Sequence, residues 1–415
     1  MSPPAKGGQF SLTIVRLSVD LVLQASAAMR CAAASLALMA ERLGLDLKMP
    51  SFGAVRSWLL RLGCYALTCA LPQGDWVLLI DHTVQIGPCK LLVIVGCPLA
   101  SVPLGVRPLR HSDLHLVGMS LMEHSTDKTV AAELAKAQQR VGKVVQIVSD
   151  NGSDLNSGVK LFQEQNEGVA HTHDVAHQAA NFLKQRRNRD ERWSEFVSKL
   201  AQAGAKVRQT RAAHLRPPTV RAKARFMNIA PTLNFARRVL GLLDTGKASA
   251  RAEENYAWLR EYRESLANWQ SEQAVVAVAL AHIRTHGINQ ETAAKLDAEW
   301  SELELTPGAR DVAARLRTAV RTEGAQARPG ETLVASTEVL ESVFGKLKRL
   351  EGDYAGDGFT SLILVVGALV GTRTEEQAKE ALEAVPKKEA ESWVKRVLGT
   401  TVQMFRSLFV STGEA

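Results

Sequence analysis

Cysteine is scarce in this chain, five among 415 residues, at positions 31, 64, 69, 89 and 97. They show no C-x-x-C spacing, and an odd number suits free thiols in a reducing compartment, so small buried apolar residues are the expected role. Long apolar runs are also missing. None reaches the ~18–20 residues that a membrane-spanning helix needs. The longest, around Leu362-Ile-Leu-Val-Val-Gly-Ala-Leu-Val370, reads as a buried helix. The opening Met1-Ser-Pro-Pro-Ala-Lys-Gly-Gly lacks the apolar stretch and cleavage pattern of a secretory signal. A cytoplasmic protein without membrane contact is therefore expected. No internal repeat or low-complexity tract is present, which excludes solenoid and fibrous classes.

What is present is an ordinary globular composition, 46% hydrophobic and 23% charged, in a chain long enough for two or three domains. The net charge is +8, and its placement matters more than its size. Between Lys184 and Arg238 there are 15 Lys/Arg against three acids, a local +12, which leaves the rest of the chain at about −4 (8 − 12). A basic segment inside a slightly acidic protein points to a polyanion. Arg186, Arg187, Arg189, Arg208, Arg211, Arg221, Lys223 and Arg225 are the candidate phosphate contacts. A solvated helical surface is the alternative reading of the same segment.

The pattern divides the chain. Residues 9–70 read as helical, with a helix ending before Gly44 and another capped by Ser51. Val55, Trp58, Leu59 and Leu62 form the apolar stripe of the second, and Arg56 and Arg61 would be its DNA-facing residues if the pair is a helix-turn-helix. From Trp76 the spacing changes to strands over 76–86, 91–97 and 114–123. A helix over 129–141, a strand over 143–149, a helix over 154–165, a short strand over 168–174 and a helix over 176–187 follow. Three antiparallel strands and then alternating strand and helix units predict an α/β mixed sheet of five strands with helices on both faces. Residues 188–330 show no convincing strand, and Trp193, Trp258, Trp269 and Trp300 read as packing anchors there. The expected divisions are 1–72 (helical), 73–190 (first part of the sheet domain), 191–330 (all-α, basic insertion) and 331–415 (second part, with C-terminal helices).

Three acids stand out against this plan. Asp81 ends the run Trp76-Val-Leu-Leu-Ile-Asp81, and Asp150 ends Val144-Val-Gln-Ile-Val-Ser-Asp150 before Asn151-Gly152. Glu341 lies in the helical text Ser336-Thr-Glu-Val-Leu-Glu-Ser-Val-Phe-Gly-Lys-Leu-Lys348, with Glu338 one turn before it as a competitor. Two carboxylates at strand ends and one on a helix can hold two divalent ions roughly 4 Å apart for displacement at phosphorus. Singly, Asp81 could cap a strand and Asp150 could serve a turn. Hard oxygen ligands favour two Mg²⁺ (or Mn²⁺) ions over zinc. His171, His173 and His177 have no cysteine pair nearby to complete a closed zinc site. His82 should point away from Asp81 if both are on a strand, as a packing residue.

The order of these features resembles the RNase H-like core of DDE/D transposases. "IDHT" at 80–83 looks like the first-aspartate motif, and "SDNGSDL" at 149–155 is similar to the second. "STEVLESVFGKLKR" at 336–349 resembles the glutamate helix of bacterial insertion-sequence transposases, and "DVAHQAANFLK" at 174–184 the Asp/Cys-x-x-His motif of those with a large helical insertion before the glutamate. The resemblance covers 76–190 and 330–370 in detail. It implies Asp81, Asp150 and Glu341 as catalytic metal ligands and Asp174, His177 and Lys348 as auxiliary residues. It also implies transposon-end and target DNA as partners, and a dimer or larger assembly on the bacterial nucleoid. A metal-dependent nuclease of the same fold, or a non-catalytic DNA-binding regulator built on it, are the other readings.

Overall fold

The computed structural model describes residues 2–86, 89–218, 229–352, 360–371 and 374–399. In chain order, helices α1 (Leu12–Leu23), α2 (Met29–Arg42) and α3 (Phe52–Thr68) precede strands β1 (Gly74–Ile86), β2 (Cys89–Pro98) and β3 (His115–Met122). Then come α4 (Asp127–Val141), β4 (Gly142–Ser149), α5 (Ser153–Gln165), β5 (Ala170–His173) and α6 (Val175–Asn188). Helices α7 (Glu191–Val207), α8 (Ala230–Asp244), α9 (Ala250–Tyr256), α10 (Arg263–His286), α11 (Thr292–Ser301) and α12 (Pro307–Gly324) follow, with no strand between them among the described residues. The last described elements are α13 (Glu338–Gly352), α14 (Val365–Leu369), α15 (Glu375–Ala384) and α16 (Lys387–Leu398). The expected alternation of strands and helices from Trp76 onward is present. None of the helices among the described residues is long and apolar enough to cross a membrane.

Two compact units arise. The first comprises residues 1–103, 109–171 and 337–415, and the second residues 104–108 and 172–336. The first contains strands β1 to β4 of the mixed sheet, whose order is β3-β2-β1-β4-β5. β1 pairs antiparallel with β2 and parallel with β4, and β2 pairs antiparallel with β3. Alternation along β1 sends Trp76, Leu78 and Ile80 to one face, where they pack with Leu92 and Ile94 of β2, Val130 and Leu134 of α4, and Leu155 and Val159 of α5. Val77 and Leu79 point to the other face and are equally buried. α13 packs on β1 and α14 on β3. Neither helix contributes to the α4/α5 core, so they cover this second face.

α3 is locked into its own unit, against α14, α15, α16 and β3. The Arg56 guanidinium donates to Ser361 Oγ at 2.6 Å, and Arg61 donates to the Val385 carbonyl at 2.6 Å and to that of Leu382. This corrects the helix-turn-helix expectation for these two residues. Their guanidiniums are half-buried and hold α3 to the C-terminal helices instead of facing a groove. The apolar run expected as one helix is fully buried but broken into a 3₁₀ turn (Ser361–Leu364) and the short α14. Its backbone lies directly on α3: a β-carbon placed on Gly63 would sit 1.7 Å from the Leu364 carbonyl oxygen, and one on Gly367 would sit 2.7 Å from the Gly63 carbonyl oxygen. Gly63→Ala must therefore push two backbones apart. A loss of about 1–3 kcal/mol is expected, read as a lowered midpoint in urea unfolding.

The second unit is helical and is built around aromatic rings. Phe196, Tyr262, Trp193 and Trp269 pack edge-on or tilted with centroids 4.9–6.4 Å apart. Trp269 donates from Nε1 to Asp190 at 2.8 Å, and Trp300 to the Val275 carbonyl at 3.1 Å. These tryptophans are packing anchors, as their helical spacing suggests. Among the cysteines, Cys64 and Cys97 are buried, with burial pushing the Cys97 thiol up to about 12. Cys31 is exposed, which departs from the buried role expected of it.

Candidate active site

Asp81 follows Val77 and Leu79 in the alternation of β1, so its side chain leaves the sheet on the face that α13 covers. The parallel register pairs Leu79 with Val148 and Ile80 with Ser149. Asp81 and Asp150 are the next residues after that last pair, Asp81 still within β1 and Asp150 just past the end of β4. Parallel strands that stop together in this way place both acids at the same end of the pair. Both residues are half-buried. The Asp81 carboxylate accepts from the His82 backbone N–H at 2.6 Å, and Asp150 Oδ1 accepts from the Gly152 N–H at 2.9 Å. The Asp-Asn-Gly text thus forms a tight turn whose first residue is fixed by its own loop.

α13 carries the third acid in its first turn. The N–H groups of Leu340 and Glu341 donate to the Thr337 carbonyl at 2.8 and 3.1 Å. Leu340, Val343, Phe344, Leu347 and Leu350 form its buried stripe. At ~100° per residue, Glu338 falls almost opposite that stripe, and Glu341 lies about 50° nearer to it. Both are half-buried. Lys348 is exposed, two turns beyond Glu341. Farther along the helix, burial raises the Glu351 carboxyl above its ordinary range, against the opposing hydrogen bond from Thr360 and the charge of Lys348.

On the α4/α5 face of the sheet, His82 turns away from Asp81, as strand alternation requires. It is not a plain packing residue. Its Nε2 lies 3.1 Å from Ser125 Oγ and its Nδ1 3.8 Å from Asp154 Oδ2. Lys90 Nζ of β2 donates to the same Asp154 oxygen at 2.9 Å. Burial lowers the His82 pKa. For Asp154 burial acts upward, but hydrogen bonds from Lys90 and Ser125 and the charges of His82 and Lys90 outweigh it and hold the carboxyl below its ordinary value. Nothing in the local text singled out this group, because its members come from four separate segments.

In the second unit, Asp174 is fully buried and caps α6, its Oδ1 accepting from the N–H groups of Ala176 (2.6 Å) and His177 (3.1 Å). His177 Nδ1 lies 3.7 Å from Asp174 Oδ2. The other histidines of the suggested zinc set are otherwise engaged, His173 Nδ1 with Glu323 at 2.8 Å and, in the first unit, His171 Nε2 with Ser149 Oγ at 2.8 Å.

The basic segment separates into two kinds of residue. Lys206, Arg208, Arg211, Arg216, Arg237 and Arg238 are exposed, as is Arg189. Arg187 is a correction: it is 2% exposed, 2.6 Å from the fully buried Glu272, and its guanidinium stacks over Trp193 and Trp269. Arg186 is partly buried and bonds Glu272 at 2.8 Å and Asp311 at 2.7 Å. These two are structural ion pairs and not a phosphate-facing surface. Arg221, Lys223 and Arg225 lie outside the described residues.

No protein-family model matches this chain, and no curated protein matches it. Among solved structures it is similar to the Drosophila P element transposase strand transfer complex, at 12% identity over 90% of this chain and 92% of that chain, with a TM-score of 0.39. A likeness of that degree says nothing of this chain's activity.

Proposed function

We propose that this chain is a DDE-type DNA transposase that cuts transposon ends and joins them to target DNA. The observation that supports it most is the β1–β4 register, whose last pair, Ile80 with Ser149, directly precedes Asp81 and Asp150, on a strand against which the helix of Glu341 packs. The attribution to a bacterial insertion sequence rests only on the text around these residues.

The donor set is all carboxylate, half-buried and rigidly based, and fits hard divalent cations such as Mg²⁺ or Mn²⁺. Asp81, Asp150 and Glu341 would hold two ions. Once bound, such a pair supplies activation of a water or a DNA 3′-hydroxyl and neutralisation of the leaving oxygen. The rest falls to the chain itself. β1 holds Asp81 and the turn after β4 holds Asp150, which shortens any side-chain search before reaction. Glu341 adds a carboxylate from a helix whose apolar stripe is anchored in the core. Lys348 offers an exposed charge to a nearby phosphate, and Asp174 orients the start of α6 and His177. No covalent protein–DNA intermediate is needed. The exposed arginines and lysines of the second unit hold the phosphate backbone, and joining two ends calls for a dimer or larger assembly.

Replacing Arg208, Arg211 and Arg216 together by alanine is expected to weaken DNA binding irrespective of sequence. It should also flatten the slope of log K against log salt by about 2 to 3, as each phosphate contact contributes ~0.9. Fluorescence anisotropy across a salt series reads both.

The activity test uses DNA flanking the gene, with Mg²⁺ or EDTA. Joined products in Mg²⁺ alone, lost with Glu341→Gln, support the reading. Loss with Glu338→Gln instead transfers the third-acid role to Glu338. Cleavage without joining favours a nuclease, and binding without cleavage favours a non-catalytic regulator.

A further inference from the structure

We infer that Lys90 and Asp154, with His82 and Ser125, form a clamp that positions the Asp150 loop for metal binding. The inference rests on the metal-site reading above and deepens it. The Asp150 carboxylate accepts from the Gly152 N–H of its own loop at 2.9 Å, and the Ser149 hydroxyl donates to the Asp150 carbonyl at 2.9 Å. Gly152 in turn sits between the two aspartates. A β-carbon built on it would lie 2.9 Å from Asp150 Oδ1 and 3.3 Å from Asp154 Oδ1. The loop from 150 to 154 is thus a short bracket with one carboxylate at each end.

The far end of that bracket is where the chain has placed its polar contacts. Asp154 takes the Lys90 ammonium at 2.9 Å from β2 and lies 3.8 Å from His82 Nδ1 of β1. His82 is itself bonded to Ser125, just before α4, at 3.1 Å. Two neighbouring strands, the approach to α4 and the first turn of α5 are tied together at one carboxylate. The side chains of Lys90 and Asp154 are 30% and 16% exposed, enough shielding for the pair to outlast a surface ion pair. The carboxylate also accepts from the Leu155 N–H at 3.1 Å, which anchors it to α5. Asp154 and Lys90 touch no reacting atom in this account. They are positioning residues that act through Asp150.

The charges make the idea testable, because a positioning role and a purely electrostatic one differ in sign. If Lys90 acted only through its charge, its removal would strengthen binding of a dication nearby, whereas removing the Asp154 charge would weaken it. If the pair positions Asp150, removing either weakens binding, and removing both is little worse than removing one. Outer residues that orient a metal ligand typically change affinity 10–100-fold.

The experiment is Mn²⁺ binding to the full chain without DNA, followed by electron paramagnetic resonance of the free ion. Lys90→Met, Asp154→Asn and the double variant are compared with wild type, with Lys90→Arg as the conservative control and thermal unfolding as the measure of folding. The expected result is a dissociation constant raised at least tenfold in all three disruptive variants, nearly restored by Lys90→Arg, at unchanged Tm. Tighter binding by Lys90→Met, or affinities within twofold of wild type, would overturn the clamp while leaving the metal site intact. Absence of any Mn²⁺ binding that depends on Asp81 and Asp150 in wild type would remove the metal-site reading and the clamp with it.

Discussion

Asp81→Asn and Asp150→Asn should each reduce strand cleavage and joining by at least about a thousandfold while leaving DNA affinity within roughly twofold. The substitution is isosteric, so the buried strand ends keep their packing. Only the charge is lost, and with it a ligand needed to gather two dications. A thousandfold corresponds to about 4 kcal/mol of transition-state stabilisation, an ordinary cost for losing one element of an electrostatic site. The residues proposed to hold phosphate belong to the second unit, where they are exposed, so binding should survive. The two effects should also be far from additive, since a site missing one carboxylate has little left for the second loss to remove. Single-turnover cleavage beside an equilibrium binding curve checks all three points. Weakened DNA binding with cleavage preserved would place these aspartates in a structural role.

The second large effect concerns folding. Glu272 is fully buried and bridges Arg187 at 2.6 Å and Arg186 at 2.8 Å, with Arg187 enclosed by Trp193 and Trp269. Glu272→Ala leaves the Arg187 cation without its partner in an apolar setting, and a loss of about 3–5 kcal/mol is expected. Gly308 adds to this, since a β-carbon there would lie 2.4 Å from Glu272 Oε1, which shows how closely the backbone wraps the carboxylate. Replacing both partners, Glu272→Leu with Arg187→Met, should recover most of the loss because neither member of the fully buried pair remains, the volume is filled, and Arg186 keeps its ion pair with Asp311. Chemical denaturation followed by tryptophan fluorescence measures both variants, as the tryptophans lie against the pair. A double variant as unstable as Glu272→Ala would mean that packing around the glutamate, and not the unpaired charge, sets the cost.

The contrast between these two sites shows what the amino-acid order carries. The strands around Asp81 and Asp150 were legible because a sheet covered on both faces writes short, nearly continuous apolar runs, and the acids fall where each run stops. The five-stranded mixed sheet followed from the spacing of those runs. Arg187 was not legible. In Arg186-Arg187-Asn188-Arg189 every residue looks solvated, and the partner that draws one of them inside lies on α10. Arg56 and Arg61 misled for the same reason, because their acceptors, Ser361, Leu382 and Val385, are far along the chain. The clamp at Asp154 was hidden in another way. Its position four residues after Asp150 and at the start of a helix is an ordinary setting for an acid. Only the fold shows Lys90 and His82 arriving there. The run 362–370 was read as one helix since nothing in its apolar text announces that α3 approaches Gly367 backbone to backbone.

The most direct test of the central claim is a metal-rescue measurement at the scissile phosphate. The leaving 3′-oxygen of the transposon strand is replaced by sulfur, and cleavage by wild-type protein is followed in Mg²⁺ and in Mn²⁺. Sulfur binds Mg²⁺ poorly and Mn²⁺ better. A metal pair held by Asp81, Asp150 and a glutamate of α13 predicts that cleavage of the sulfur substrate collapses in Mg²⁺ and returns in Mn²⁺, with no rescue in Asp150→Asn. Cleavage that proceeds equally in both ions, or persists in EDTA, would contradict the account.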